Sequence, residues 1–244
     1  MSSIEWGQEL ADVYDSVYAE ASTPEVLRPI VDVLANLSGN DMALEFGVGT
    51  GRVALPLSER GVQVHGIELS EPMAERLGRK PGAEQVPVVI GNMTTTRVPG
   101  RFRLVYLVAN TIMNVTTQDE QLAVFHNAAA HLDAGGVFVV AVIVPQLREV
   151  PVGARGRVFT LDPDHIGVET FDDPVGQIAW SHHWMVVDGR LVQHSAPFRY
   201  VWPAELDLMA RLAGFRLRDR WVDWRQTPFT ADSTEQVVVY QKSG

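Results

Sequence analysis

Residues 137–144 are apolar at every one of eight consecutive positions. A strand with one face in water alternates apolar and polar residues, so an unbroken run of this length reads as a strand covered on both faces. It falls well below the ~18 apolar residues of a membrane span. Covering both faces requires helices above and below a sheet. Four further short apolar runs, 43–46, 62–68, 86–90 and 102–108, precede this one with helix signals between them. Residues 52–60 carry apolar positions up to Gly61. Ser70 stands as an N-cap before residues 71–77, and Thr117-Gln118-Asp119-Glu120 is a capping box opening a helix toward Gly135-Gly136. Alternating strand and helix predicts an α/β fold: a doubly wound, mostly parallel sheet, since parallel neighbours need crossover connections.

After Val144 the pattern changes. Residues 145–202 hold β-type runs broken by turn residues, and Asp188-Gly189 between 178–187 and 190–201 predicts a hairpin. This segment reads as an antiparallel β insertion after the fifth strand. Pro203 opens a helix closed by Gly214, and residues 215–221 and 236–240 read as a final antiparallel pair at the sheet edge. The expected organisation is a seven-stranded core built from 1–144 and 203–244, with 145–202 as a substrate roof or dimer interface.

Composition narrows the function. Thirty acidic residues against twenty Lys and Arg give a formal net charge of −10, which repels phosphate backbones, so no nucleic-acid partner is expected. The absence of Cys removes disulfides, thiolate metal sites and cysteine nucleophiles together. The opening residues have neither a basic segment nor an apolar core of the secretory kind, and a cytoplasmic protein without membrane association is expected.

The chemistry concentrates where the first strand meets its helix, at Glu45-Phe46-Gly47-Val48-Gly49-Thr50-Gly51-Arg52. Glycines at such a turn let a ligand touch the backbone. A dinucleotide fingerprint would place the third glycine at position 52, where Arg52 stands. Glu45 would repel a pyrophosphate but suits a cationic ammonium group. Glu68, 21 residues after Gly47, closes the second strand run where an acidic side chain can accept both hydroxyls of a ribose. Asn92 and Met93 follow the third run and offer an amide and a soft apolar contact to a purine. An amino-acid head, a ribose and an adenine together describe S-adenosylmethionine.

These residues, with Leu69-Ser70 and Val108-Ala109-Asn110, resemble the ordered motifs of the class I S-adenosylmethionine-dependent methyltransferases. The resemblance is closest to bacterial small-molecule members of the amino-sugar N-methyltransferase kind. It implies that Glu45 and the Gly47, Gly49, Gly51 turn hold the methionine amino group and Glu68 the ribose. Leu69, Asn92 and Met93 would surround the adenine, while Val108, Ala109 and Asn110 lie beside the sulfonium. Tyr14 and Tyr18, one helical turn apart, resemble the tyrosines of the lid helix in those enzymes.

The expected reaction is methyl transfer to a nitrogen or oxygen of a small metabolite, such as a natural-product sugar. Candidates for the acceptor side are Tyr14, Tyr18, His182 and Arg199, with His183 and His194 as further candidate bases in the insertion. His182 and His183 are adjacent on a strand and must face opposite ways, which also speaks against a metal, and none is expected. On strand 190–201 the Arg199 face is expected to meet substrate and the aromatic face, with Phe198 and Tyr200, to meet the core or a homodimer partner. Two other functions stay open on the residues alone: an NAD(P)-linked oxidoreductase on a Rossmann-like fold, and a non-catalytic binding or dimerisation protein.

Overall fold

A computed structural model describes residues 7–39, 41–187 and 189–243, the side chains of Glu9, Leu10 and Leu147 excepted. Residues 1–6, read above for a leader segment, and Asp188 of the expected hairpin turn lie outside the described residues.

The main sheet has seven strands: β1 (Ala43–Phe46), β2 (Val64–Glu68), β3 (Val88–Ile90), β4 (Phe102–Leu107), β5 (Leu132–Ile143), β10 (Phe215–Trp221) and β11 (Glu235–Lys242). Their order is β10-β11-β5-β4-β1-β2-β3. The first five are parallel, whereas β11 runs antiparallel to both β5 and β10. The chain leaves β1 toward β3, then returns to the other side of β1 as β4. This reversal opens a crevice at the carboxyl ends of β1 and β4, where ligands of doubly wound sheets bind.

Both faces are covered, as the eight-residue apolar run requires. Phe138, Val140 and Val142 of β5 join one buried cluster with Phe125, Leu206 and Met209. Val137, Val139 and Ala141 join the other with Ile30, Leu34 and Leu57. The helices behind these residues are α2 (Pro24–Ser38) and α3 (Ala54–Glu59) on one side, α5 (Gln118–His131) and α6 (Pro203–Leu212) on the other. The two expected caps are present. Ser70 accepts the amide of Met73 at the start of α4 (Glu71–Gly78), and Thr117 accepts that of Glu120 at the start of α5.

The insertion forms a second, four-stranded antiparallel sheet in the order β6 (Gly156–Asp162), β7 (His165–Asp173), β8 (Ile178–Val187), β9 (Arg190–Arg199). Its β9 packs on the 3-10 turn Thr111–Asn114 after β4, and its β8 touches the N-terminal helix α1 (Gln8–Val17). Antiparallel strands of this kind carry one covered and one outward face. On β9, Leu191, Gln193 and Ser195 are exposed, whereas Val192, His194 and Ala196 are half-buried. The covered face therefore carries Ala179, Ser181, His183 and Met185 of β8, which pair in register with Phe198, Ala196, His194 and Val192.

Arg199 departs from expectation. Instead of facing substrate it is 3% exposed, donating to Glu205 at 2.7 Å and to Gln121 at 2.5 Å. Burial alone would raise the Glu205 carboxyl, but hydrogen bonds from Arg199, Gln177 and Gln118 hold it below its ordinary value. Arg199 shares its face of β9 with Ser195 and Gln193, which are exposed, and only at its end is that face covered, by Gln121 of α5 and Glu205 of α6. Arg199→Ala is expected to cost about 1–3 kcal/mol in urea unfolding, because it leaves the buried Gln121 and the half-buried Glu205 without their guanidinium partner. The sign of the pH effect follows from the depressed carboxyl: its contribution is present above the unfolded value of 4.5 and is lost as pH falls through the folded one. Glu205→Gln should flatten that acid limb.

Candidate functional site

Glu45 stands on the central strand and is 3% exposed. Its register partner on β4 is Tyr106, whose hydroxyl donates to the carboxylate at 2.9 Å. Burial pushes the Glu45 carboxyl up to about 8, against the hydrogen bonds from Tyr106 and the Ala54 amide and the nearby Arg52 charge. Burial favours the neutral acid, and a cation beside it would favour the ionised form.

The turn above it is left-handed at three positions. Gly47, Gly49 and Gly51 have φ of +69°, +56° and +81°. At Gly47 a Cβ would also come within 2.7 Å of the Thr111 side chain, so the turn and the segment after β4 approach through this glycine. At Gly49 an added Cβ would meet nothing within 4 Å, which leaves its side open to a ligand.

Glu68 ends β2 and reaches back across this turn. One carboxylate oxygen accepts from the Gly49 amide at 2.7 Å and the other from the Ser70 amide at 2.8 Å. Burial raises this carboxyl despite those bonds. The Leu69 amide is a third backbone donor to this carboxylate, which leaves acceptor capacity for a ribose hydroxyl beside the clamp. Beyond it, Leu69 is 53% and Ile90 46% exposed, forming an apolar ledge at the ends of β2 and β3. The Asn92 side-chain oxygen accepts from the Thr94 amide and hydroxyl, both at 2.8 Å, so it builds its own turn and leaves the amide nitrogen outward. Met93 packs against the core cluster as a partly buried side chain.

After β4 the backbone is strained. Ala109 and Asn110 have φ of +53° and +64°, a conformation that costs non-glycine residues energy and collects at functional turns. The Asn110 side chain accepts the Ile143 amide at 2.8 Å and so pins the turn to β5. Val108 is buried at 7% exposure.

The N-terminal helix α1 is tied down by charge. Asp15 of α1 accepts from the Thr50 hydroxyl at 2.7 Å and pairs with Lys80 at 2.9 Å, while Lys80 also donates to the Thr50 carbonyl. Burial would raise Asp15, but Thr50, Lys80 and Arg76 hold it below its usual value. The rings of Tyr14 and Tyr18 lie 4.5 Å apart at the edge of the glycine turn. Burial, then the neighbouring Tyr18, raises the Tyr14 hydroxyl to about 12, so it keeps its proton.

His182 lies on the outward face of the second sheet, stacked between Trp180 and Trp184. The covered face carries His183 instead. Sequence reasoning, which named both histidines, passed over Tyr106, Asp15, Thr50 and Lys80. An apolar run does not mark a tyrosine that will meet a carboxylate, and contacts across 65 residues leave no local signal. Among the described residues no group of three or more His, Cys, Asp or Glu is placed to hold a metal ion, and no helix is long and apolar enough to cross a membrane.

Comparison with known proteins agrees with this geometry. The methyltransferase-domain family matches residues 43–136. The CcbJ methyltransferase of Streptomyces caelestis is 34% identical and superposes with a TM-score of 0.87, each chain covered over 100% of its length. The chain belongs to the class I S-adenosylmethionine-dependent methyltransferases, and S-adenosylmethionine is its cofactor. Among curated relatives, the cypemycin N-terminal methyltransferase of a Streptomyces species is 27% identical over 94% of this chain and 98% of that protein. CalS10, an amino pentose methyltransferase from Micromonospora echinaspora, shares the fold at 18% identity and a TM-score of 0.72, over 95% of this chain and 97% of its own.

Asp15→Ala and Lys80→Met should each loosen α1. Stopped-flow dissociation of S-adenosylhomocysteine is expected to accelerate several-fold, and the wild-type rate should rise with salt until it meets that of the variants. Equal rates in all three proteins at low salt would show that the ion pair does not hold α1.

Proposed function

We propose that this protein methylates an amino nitrogen of a small metabolite, with 145–202 roofing the acceptor cavity. The observation that carries the reading is the pairing of Glu45 beneath, and Glu68 across, one left-handed glycine turn at the sheet's switch point. Bound S-adenosylmethionine supplies a methyl group on a sulfonium, a leaving group that needs no acid. Glu45 and the Gly47 turn would hold its ammonium, Glu68 its ribose hydroxyls, and Leu69, Asn92 and Met93 its adenine. The strained backbone of Val108, Ala109 and Asn110 would border the reacting end, with Tyr14 and Tyr18 as a lid that excludes water. Holding an amine lone pair in line with the methyl group supplies most of the acceleration such a transfer needs. Nitrogen is favoured over oxygen because relatives of this length act on amines by name: the cypemycin enzyme on an N-terminus, and the fold neighbours CalS10 and KedS8 as amino pentose and sugar N-methyltransferases.

The test is release of S-adenosylhomocysteine with a panel of amino-deoxy sugars and short peptides with free N-termini, each beside its hydroxyl or N-acetyl counterpart. Turnover confined to free amines supports the proposal; turnover of the hydroxyl compounds alone overturns it. Activity should survive dialysis against EDTA.

Two predictions concern the cofactor. Glu68→Ala should raise the Kd for S-adenosylhomocysteine at least about tenfold, since it removes charge-assisted hydrogen bonds worth ~1.5–3 kcal/mol each. Glu45 carries the second. With its carboxyl at about 8 in the free protein, it is mostly protonated at pH 7, and an ammonium beside it favours the ionised form, so binding releases a proton. Affinity should therefore climb from pH 6 to 8, and calorimetric heats should depend on the buffer's ionisation enthalpy. Glu45→Gln should lose both dependences.

A further inference from the structure

We propose that Ser181, His183 and His165 form a proton exit leading from the methyl-acceptor cavity through the antiparallel sheet to solvent. The inference rests on the amine-methylation reading above and extends it to a step that reading leaves open. Transfer to an amine leaves a proton to dispose of, and in that reading the lid excludes water from the reacting end.

The hydrogen bonds run in series. The Ser181 hydroxyl lies 2.8 Å from His183 Nε2, and His183 Nδ1 lies 2.9 Å from His165 Nε2. The chain begins on the covered face, between Ala179, fully buried in the core cluster, and Met185. The same sheet touches both the turn after β4 and α1, the two elements that border the reacting end in the reading above. It ends at His165, the first residue of β7, next to the exposed turn at 162–164.

The groups around His183 favour its neutral form. Burial first, then the His165, His194 and His182 rings, hold it down at about 4. Glu169 faces the same side from β7 but is paired with Arg157 of β6. On α1, Asp15 is paired with Lys80 and Asp12 with Arg76. A neutral imidazole with a partner on each nitrogen passes a proton through without storing it.

The step balances without another reagent. The acceptor ammonium gives a proton to the Ser181 oxygen as the Ser181 proton moves to His183 Nε2. The proton on His183 Nδ1 moves to His165 Nε2, and the His165 imidazolium releases one to water. The amine keeps its lone pair, which forms the new N–C bond as the C–S bond breaks.

Sinefungin tests the assignment without turnover, because it carries an amine where the cofactor carries its reactive methyl and so delivers an ammonium to the start of the chain. In protein labelled with 15N-histidine, sinefungin should shift the ring nitrogens of His183 and His165 relative to the S-adenosylhomocysteine complex and leave those of His182 in place. A silent His183, or a response at His182 alone, overturns the proposal. Failure of both analogues to bind would instead count against the cofactor site. With the best amine from the panel, Ser181→Ala and His183→Phe should lower kcat about tenfold or more and diminish the solvent isotope effect, with the Kd for S-adenosylhomocysteine unchanged. Wild-type kcat and isotope effect in both variants would also overturn it.

Discussion

A carboxyl group buried on the central strand of a sheet is costly unless its surroundings meet its hydrogen-bonding needs, and Glu45 imposes that condition on everything near it. Tyr106 meets it from the register-matched position of β4, so the order that places β4 beside β1 also places the phenol beside the acid. The Ala54 amide meets it from the start of α3, which fixes where the chain must turn into the helix. Three left-handed glycines are the means of making that turn within the available space. Replacing Glu45 by an apolar residue would relieve the burial cost, so its presence is better explained by what it can do for a cation than by stability.

The second sheet shows how little separates a structural side chain from one near the chemistry. His182 and His183 are neighbours in sequence, yet the period of two sends one to an outward aromatic stripe and the other to the covered face. Arg199 illustrates the same rule at the end of β9, where two helices close over it and its charge is spent on Glu205 and Gln121. Which face of an antiparallel sheet is covered is decided by the elements that pack on it, which the alternation along a strand does not reveal.

Much of the fold was legible because its signals are local. The unbroken apolar run of β5, the caps at Ser70 and Thr117 and the glycines after β1 each act over a few residues, and they identify a doubly wound sheet with its ligand edge. The antiparallel β8–β9 pair was visible in its punctuation. Helix limits moved by a residue or two, as fraying ends do. What stayed hidden is non-local: Asp15 finding Thr50 and Lys80, Tyr106 finding Glu45, and Arg199 finding Glu205 all join segments whose separation says nothing about proximity. For the candidate site, the strand-end positions could be named, but the Glu68 contact with the Gly49 amide could not, because a ribose role and a clamp role call for the same residue at the same place.

Most of the shifted titratable groups named above move toward their neutral forms, Asp15 with its Lys80 partner being an exception. Glu45 and Glu68 are raised toward their neutral acids, Tyr14 and Tyr18 toward neutral phenols, and His183 is lowered toward neutral imidazole, each chiefly by burial. The crevice therefore carries less charge than its residues suggest, within a protein whose overall charge is −10. A cationic ligand entering it meets acids that can ionise in response and phenols and imidazoles that cannot easily become competing charges. That arrangement selects for positive charge at the Glu45 end while keeping the acceptor side uncharged. It is also what a transfer from a sulfonium to a neutral amine requires, since a protonated acceptor has no lone pair to offer and a fixed cation beside it would oppose the charge it gains.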